Sequence, residues 1–262
     1  MLQVVSASFP RSGSSWIRRS LWYYFSRDKI IPSDLGLRSF SPPLIEDISE
    51  RQQFDFSPVI YKTHKNPGDI SEMISHSDKL IVLYRKPFDV FRSKIIKKRK
   101  LFAGIADGSI KSTQDFTEEQ LQKKIQRFEN LTPDMLDIHK QNYIQFYEEY
   151  INVSQTIDTL FLCYEELSMD FLSTFSRVIS FLEFTPNLEI VNKVKDLTNL
   201  STLKKKLSDV DDRKLLQFDS GTVGKGAEFF KDLNFQPDWI SELNDIYNKL
   251  IALSQKEVIL RS

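Results

Sequence analysis

The segment at residues 8–20, SFPRSGSSWIRRS, holds the residue types that capture an oxyanion. Gly13 allows a turn without side-chain bulk, and Ser14 and Ser15 are N-cap candidates for the helical spacing that follows. Loose backbone N–H groups and the positive end of the helix dipole would face an anion there, and Arg11 adds a full charge. The competing reading is an ordinary capped turn, since no GxxxxGK[ST] phosphate loop stands at this place. Lys62 and His64 stand in K-T-H. A neutral histidine with an ordinary pKa can take a proton near neutrality, although a lone histidine at a strand end is more often structural. Arg85 and Ser93 lie about two helical turns apart in R-K-P-F-D-V-F-R-S, so an arginine suited to bidentate phosphate contact and a hydroxyl can reach one ligand.

These residues need elements to hold them. Apolar runs predict strands over 2–8, 58–63, 79–84 and 159–164. Helical spacing predicts helices over 14–27, 69–77, 87–100, 117–128, 135–150, 171–182, 186–206 and 238–253. The stretch 28–57 reads as irregular with a short helix near 43–53, and 215–230 as a glycine-bearing loop. Strands alternating with helices predict an α/β fold, with a central parallel sheet flanked by helices in three layers. Ligands of such sheets sit at the carboxyl ends of the strands. Arg11, His64, Arg85 and Tyr164 all fall at or just past a predicted strand end, which points to one shared site.

Composition narrows the partners. The chain has 262 residues with 36 basic and 36 acidic side chains, so net charge gives no reason to expect nucleic acid. Length favours one domain over 1–262. Cys163 is the sole cysteine and lies in an apolar strand, which excludes an internal disulfide and favours a buried thiol. Three widely spaced histidines argue against a metal site. The first strand begins almost at Met1 and no apolar run approaches the roughly 18–20 residues of a membrane span, so the expectation is a cytoplasmic protein without a leader or anchor.

PRSGSSW resembles the 5'-phosphosulfate loop of sulfotransferases, usually PKSGTTW, which use 3'-phosphoadenosine 5'-phosphosulfate (PAPS). YKTH at 61–64, LIVLYRKPFDVFRSKI at 80–95 and LFLCYEELSMDFLSTFSRVISFLEF at 160–184 follow in the family's order. The resemblance implies a P-loop-like fold and a sulfuryl transfer to the hydroxyl of a small-molecule, sugar or lipid acceptor. It implies His64 as general base, with Lys62 and Arg11 as catalytic cations. It implies that Arg11, Ser12, Gly13, Ser14 and Ser15 hold the phosphosulfate, and that Trp16 and Tyr164 meet adenine. Arg85 and Ser93 would bind the 3'-phosphate. The family's R-K-G-x-x-G loop is altered here: Gly221 and Gly224 keep the spacing, Asp219 and Ser220 replace Arg-Lys, and Lys225 can supply the missing charge.

Two other classes stand beside this one. A P-loop small-molecule kinase would need a Walker lysine, and G-T-V-G-K-G at 221–226 lacks the Ser/Thr after its lysine and a strand before it. A non-catalytic nucleotide-binding protein is favoured only by the altered loop. The cationic run Lys97-Lys98-Arg99-Lys100 reads as a solvated face, Phe102, Phe116, Phe128 and Met135 as core sooner than acceptor pocket, Glu165 as structural, and His76 and His139 as surface residues. Oligomeric state has no signature in the sequence.

Overall fold

Four apolar runs form the sheet. β1 (Gln3–Ser8), β2 (Val59–Thr63), β3 (Lys79–Tyr84) and β4 (Asp158–Cys163) pair in parallel in the order β2-β1-β3-β4. Val5 stands between Tyr61 and Leu80, and Leu80 is in turn opposite Thr159. The computed structural model describes residues 2–26, 58–108, 110, 116–198, 230, 233 and 237–261. The predicted helix near 43–53, residues 199–206 and most of the loop 215–230 lie outside these.

The described helices are α1 (Ser14–Ser26), α2 (Ser71–Ser75), α3 (Pro87–Ala106), α4 (Glu118–Glu129), α5 (Pro133–Val153), α6 (Tyr164–Met169), α7 (Phe171–Phe181), α8 (Leu188–Thr198) and α9 (Pro237–Arg261). Strand side chains alternate between two apolar layers. Val5, Val82, Tyr84 and Phe161 face one layer with Val90, Phe91, Tyr143, Phe146 and Leu243 of α3, α5 and α9. Val4, Ile81, Leu83 and Leu160 face the other with Ile17, Leu21, Phe175, Val178 and Val191 of α1, α7 and α8. Every residue of β3 is buried, as a strand covered on both faces must be. The fold is thus the three-layer α/β arrangement expected.

Boundaries differ where local chemistry acts. Pro67 opens a short 3-10 turn (Pro67–Ile70), so the single helix expected over 69–77 becomes that turn and α2. Tyr164 opens α6 and does not close β4; Glu165 and Glu166 in the first turn favour the helix N-terminus. Phe102 stacks on Phe128 at 5.8 Å and meets the edge of Phe116 at 6.3 Å, so these rings pack α3 against the region of α4. A capping box starts α4: Thr117 Oγ1 accepts from Gln120 N, and the Gln120 side chain accepts from Thr117 N. Thr117→Ala should therefore lower the unfolding free energy by about 1 kcal/mol in denaturant titration. An unchanged midpoint would show that α4 does not depend on this cap.

Candidate active site

β1 feeds α1 on one face of the sheet, whereas β3 feeds α3 on the other. Adjacent parallel strands whose connections leave to opposite sides open a crevice at their carboxyl ends. The loop Phe9–Gly13 lines that crevice. Ser12 N–H donates to Phe9 O (3.1 Å) and Trp16 N–H to Gly13 O (2.9 Å), closing the turn into α1. The first N–H groups of α1 have no partner inside the helix, and so remain free to point at a ligand.

Two loop residues have left-handed backbones. Gly13, at φ 101°, has no room for a side chain: a Cβ there would lie 2.3 Å from Tyr164 Cδ2. Arg11, at φ 81°, is strained for a residue with a side chain, by about 1–2 kcal/mol. Two contacts hold it. Arg11 Nε donates to Ser93 Oγ at 3.0 Å, and Arg85 Nη1 donates to Arg11 O at 3.3 Å. Ser12 is fully buried. Tyr147 OH donates to Leu83 O (3.1 Å), so the Ser12 hydroxyl donates to Tyr147 OH (3.2 Å). One Ser12 donor is thus committed to the loop and the other to α5, and Ser12 shapes the site sooner than touching an anion.

Arg85 is only 1% exposed, its guanidinium lies 4.4 Å over the Tyr164 ring, and its Nε has no hydrogen-bond partner. Such an orphaned buried donor, linked to the Ser93 hydroxyl through Arg11, fits an anion partner. Tyr143 OH donates to Arg85 O at 2.6 Å and Glu165 accepts from Lys86 N–H at 3.1 Å, so buried groups of α5 and α6 hold the end of β3. Trp16 is half-buried; its Nε1–H donates to Thr198 Oγ1 (3.1 Å), and its ring stacks on Phe171 at 5.6 Å. Contacts therefore join Arg11, Ser12, Gly13, Trp16, Arg85, Ser93 and Tyr164, with Ser14 and Ser15 at the head of α1. Gly221, Gly224 and Lys225 lie outside the described residues.

His64 closes the other side of the loop. Its Nδ1 lies 2.6 Å from Ser8 O, a carbonyl that can only accept. Nδ1 therefore carries the proton, and Nε2 is left as an unprotonated acceptor. His64 keeps an edge open to solvent, yet the protein packed around its ring, and then the charge of Lys62, lower its pKa to about 4. Lys62 is itself lowered to about 8, by burial and then by Arg18 and Lys97. Burial and Arg85 bring Arg11 to about 10. Cations crowd here, each making its neighbours harder to protonate, and such a cluster favours a multiply charged anion.

Three residues depart from the sequence reading. Lys97 is not part of a solvated face: it is half-buried, its pKa lowered by burial and by Arg11. Successive helical residues turn by about 100°, so Lys98 covers the Phe102 ring and Arg99 Nε reaches Phe128 O. Lys97 stands one turn after Ser93, a spacing that would have shown it facing the site. Arg18 carries no signal in the sequence; it lies on α1 within electrostatic range of Lys62. His139 is no surface residue: Lys94 Nζ donates to its Nδ1 at 3.2 Å, and burial and then Lys94 lower its pKa to about 4.

The model of the sulfotransferase domain matches residues 2–255. The chain belongs to the sulfotransferase family. Two solved structures share the fold of this sulfotransferase chain. A mouse sulfotransferase, SULT7A1, complexed with PAP, superposes with a TM-score of 0.61 at 17% identity, over 100% of this chain and 89% of that one. Retinol dehydratase in complex with androsterone and inactive cofactor PAP gives 0.58 at 15% identity, over 95% and 80%. No curated protein matches by sequence. Among the described residues, no helix is long and apolar enough to cross a membrane, and no group of three or more His, Cys, Asp or Glu could hold a metal ion.

Proposed function

We propose that this sulfotransferase moves a sulfuryl group from PAPS to the hydroxyl of a small-molecule, sugar or lipid acceptor, working as one domain over residues 1–262 in the cytoplasm. The single observation that carries the reading is the His64 tautomer. Ser8 O holds the Nδ1 proton, so a bare Nε2 stands beside Lys62 at the rim of an anion-binding loop. The PAP bound to the two structural neighbours supports the nucleotide, and the androsterone in one of them supports a small-molecule acceptor.

PAPS supplies the activated sulfuryl group when bound. Arg85 and Ser93 hold the 3'-phosphate, while Arg11 and the N–H groups of Gly13, Ser14 and Ser15 hold the phosphosulfate. Trp16 and Tyr164 border the adenine. Gly221, Gly224 and Lys225 are assigned to the nucleotide by the family's loop spacing alone. The acceptor oxygen bonds to sulfur as its proton passes to His64 Nε2. The bond from sulfur to the 5'-phosphate oxygen breaks, and PAP leaves with that electron pair. Lys62 and Arg11 stabilise the charge on the transferring and leaving groups, so catalysis is positioning and electrostatics.

Transfer of label from PAPS to members of an acceptor panel is the direct test. Stabilisation by ATP with Mg²⁺ in place of PAP would instead favour a kinase. Arg85→Ala should weaken PAP binding by about 1.5–3 kcal/mol in calorimetry. Adenosine 5'-phosphosulfate, which lacks the 3'-phosphate, should lose much less. Arg85→Lys, which keeps charge but not the fork, should fall between. Equal losses for both ligands would place the 3'-phosphate elsewhere.

A further inference from the structure

Arg18 and Lys97 have no part in the transfer just described. Ile60 packs in the layer of α1, and Lys62, two residues along the same strand, points to the same side, where Arg18 stands. Lys97 approaches from α3, one turn beyond the Ser93 that bonds Arg11. Both cations are half-buried, and both are near enough to His64 for their charges to lower its affinity for a proton. Arg18 Nε is buried without a hydrogen-bond partner, and neither side chain has an ion pair or ring contact among the described residues. Cations removed from water without a counter-charge are costly, and an oxyanion between them relieves the cost. The loop amides, Arg11 and Lys62 already serve the phosphosulfate. Lys97 also bears on Arg11 of the cradle, but the neighbours that Arg18 and Lys97 share are Lys62 and His64, the pair that meets the acceptor.

We infer that the acceptor itself carries an oxyanion group, a carboxylate, phosphate or sulfate, which docks between Arg18 and Lys97 while its hydroxyl meets His64. This rests on the sulfotransferase reading. The test is calorimetry on the full chain saturated with PAP, using glucose 6-phosphate against glucose and 4-hydroxybenzoate against 4-hydroxybenzyl alcohol. In at least one pair the anionic member should bind about tenfold tighter or more. The preference should shrink with added salt. In the double variant R18Q/K97Q it should fall to near parity, with PAP affinity held within about twofold. R18K/K97R should retain it, which separates charge from fold damage.

Equal binding within both pairs, or no binding by any of the four probes, overturns the inference. So does a parallel loss of PAP affinity in R18Q/K97Q, which would assign these cations to the nucleotide. A wild-type chain that does not bind PAP sinks the sulfotransferase reading instead. The same pairs titrated without nucleotide then decide the oxyanion site alone: a preference lost in R18Q/K97Q sustains it, and no preference ends it.

Discussion

His64→Ala is expected to lower kcat by roughly 10²–10⁴-fold, the usual loss when a general base is removed. PAP should bind almost normally, because Nε2 is proposed to meet the acceptor and not the nucleotide, while Nδ1 is tied to Ser8 O. The pH profile makes the assignment specific. Only neutral imidazole can accept the proton, so activity should rise with pH through the pKa of His64 and then level off. In the free protein that pKa is lowered to about 4, first by the protein packed around a ring that still meets solvent and then by Lys62, with Arg18 and Lys97 contributing. The acid limb of kcat/KM should therefore fall well below the ordinary histidine value near 6.5. The limb of kcat should lie higher, since bound phosphosulfate favours the imidazolium. Both limbs should vanish in His64→Ala. Retained turnover with the acceptor would point to a carboxylate base. Loss of PAP binding together with turnover would make His64 a brace for the end of β2.

Gly13→Ala should be almost as damaging by a different route. The backbone is left-handed at φ 101°, and the new Cβ would lie 2.3 Å from Tyr164 Cδ2 and 2.7 Å from Cε2. Tyr164 cannot move aside freely, because its ring bears the Arg85 guanidinium and meets the edge of Trp16 at 5.8 Å. Relief of the clash displaces the loop, Arg85 or both. A displacement of about 1 Å at a positioned site can cost roughly 10²-fold, so PAP affinity should fall by at least about that factor. The thermal midpoint should fall as well. Tyr164→Ala in the Gly13→Ala background removes the ring but not the backbone strain, and should recover part of the affinity. Near-normal PAP binding by Gly13→Ala alone would show that this loop is not the anion cradle.

The linear order of residues was enough for the strands, the loop and the family. β3 reads as continuous apolar sequence because it is covered on both faces, and the four motifs keep their order because each closes one strand of a single parallel sheet. Charge bearing on the site did not read the same way. A run such as Lys97–Lys100 has one composition but four directions on a helix, and only packing decides that Lys97 faces Arg11 while Lys98 covers Phe102. The His64 tautomer is likewise a tertiary fact, since Ser8 O belongs to a neighbouring strand. The Ser12 hydroxyl looked available in the sequence, yet Tyr147 of α5 takes it. Even Gly13, legible as a turn, owes its strict requirement to the tyrosine that opens α6, just past β4. Local periodicity encodes which face of an element is apolar, because burial repeats every two or 3.6 residues. Hydrogen-bond partners and unpaired charges depend on which elements meet, and here the β2-β1-β3-β4 order brought the ends of β1, β2, β3 and β4 to one edge.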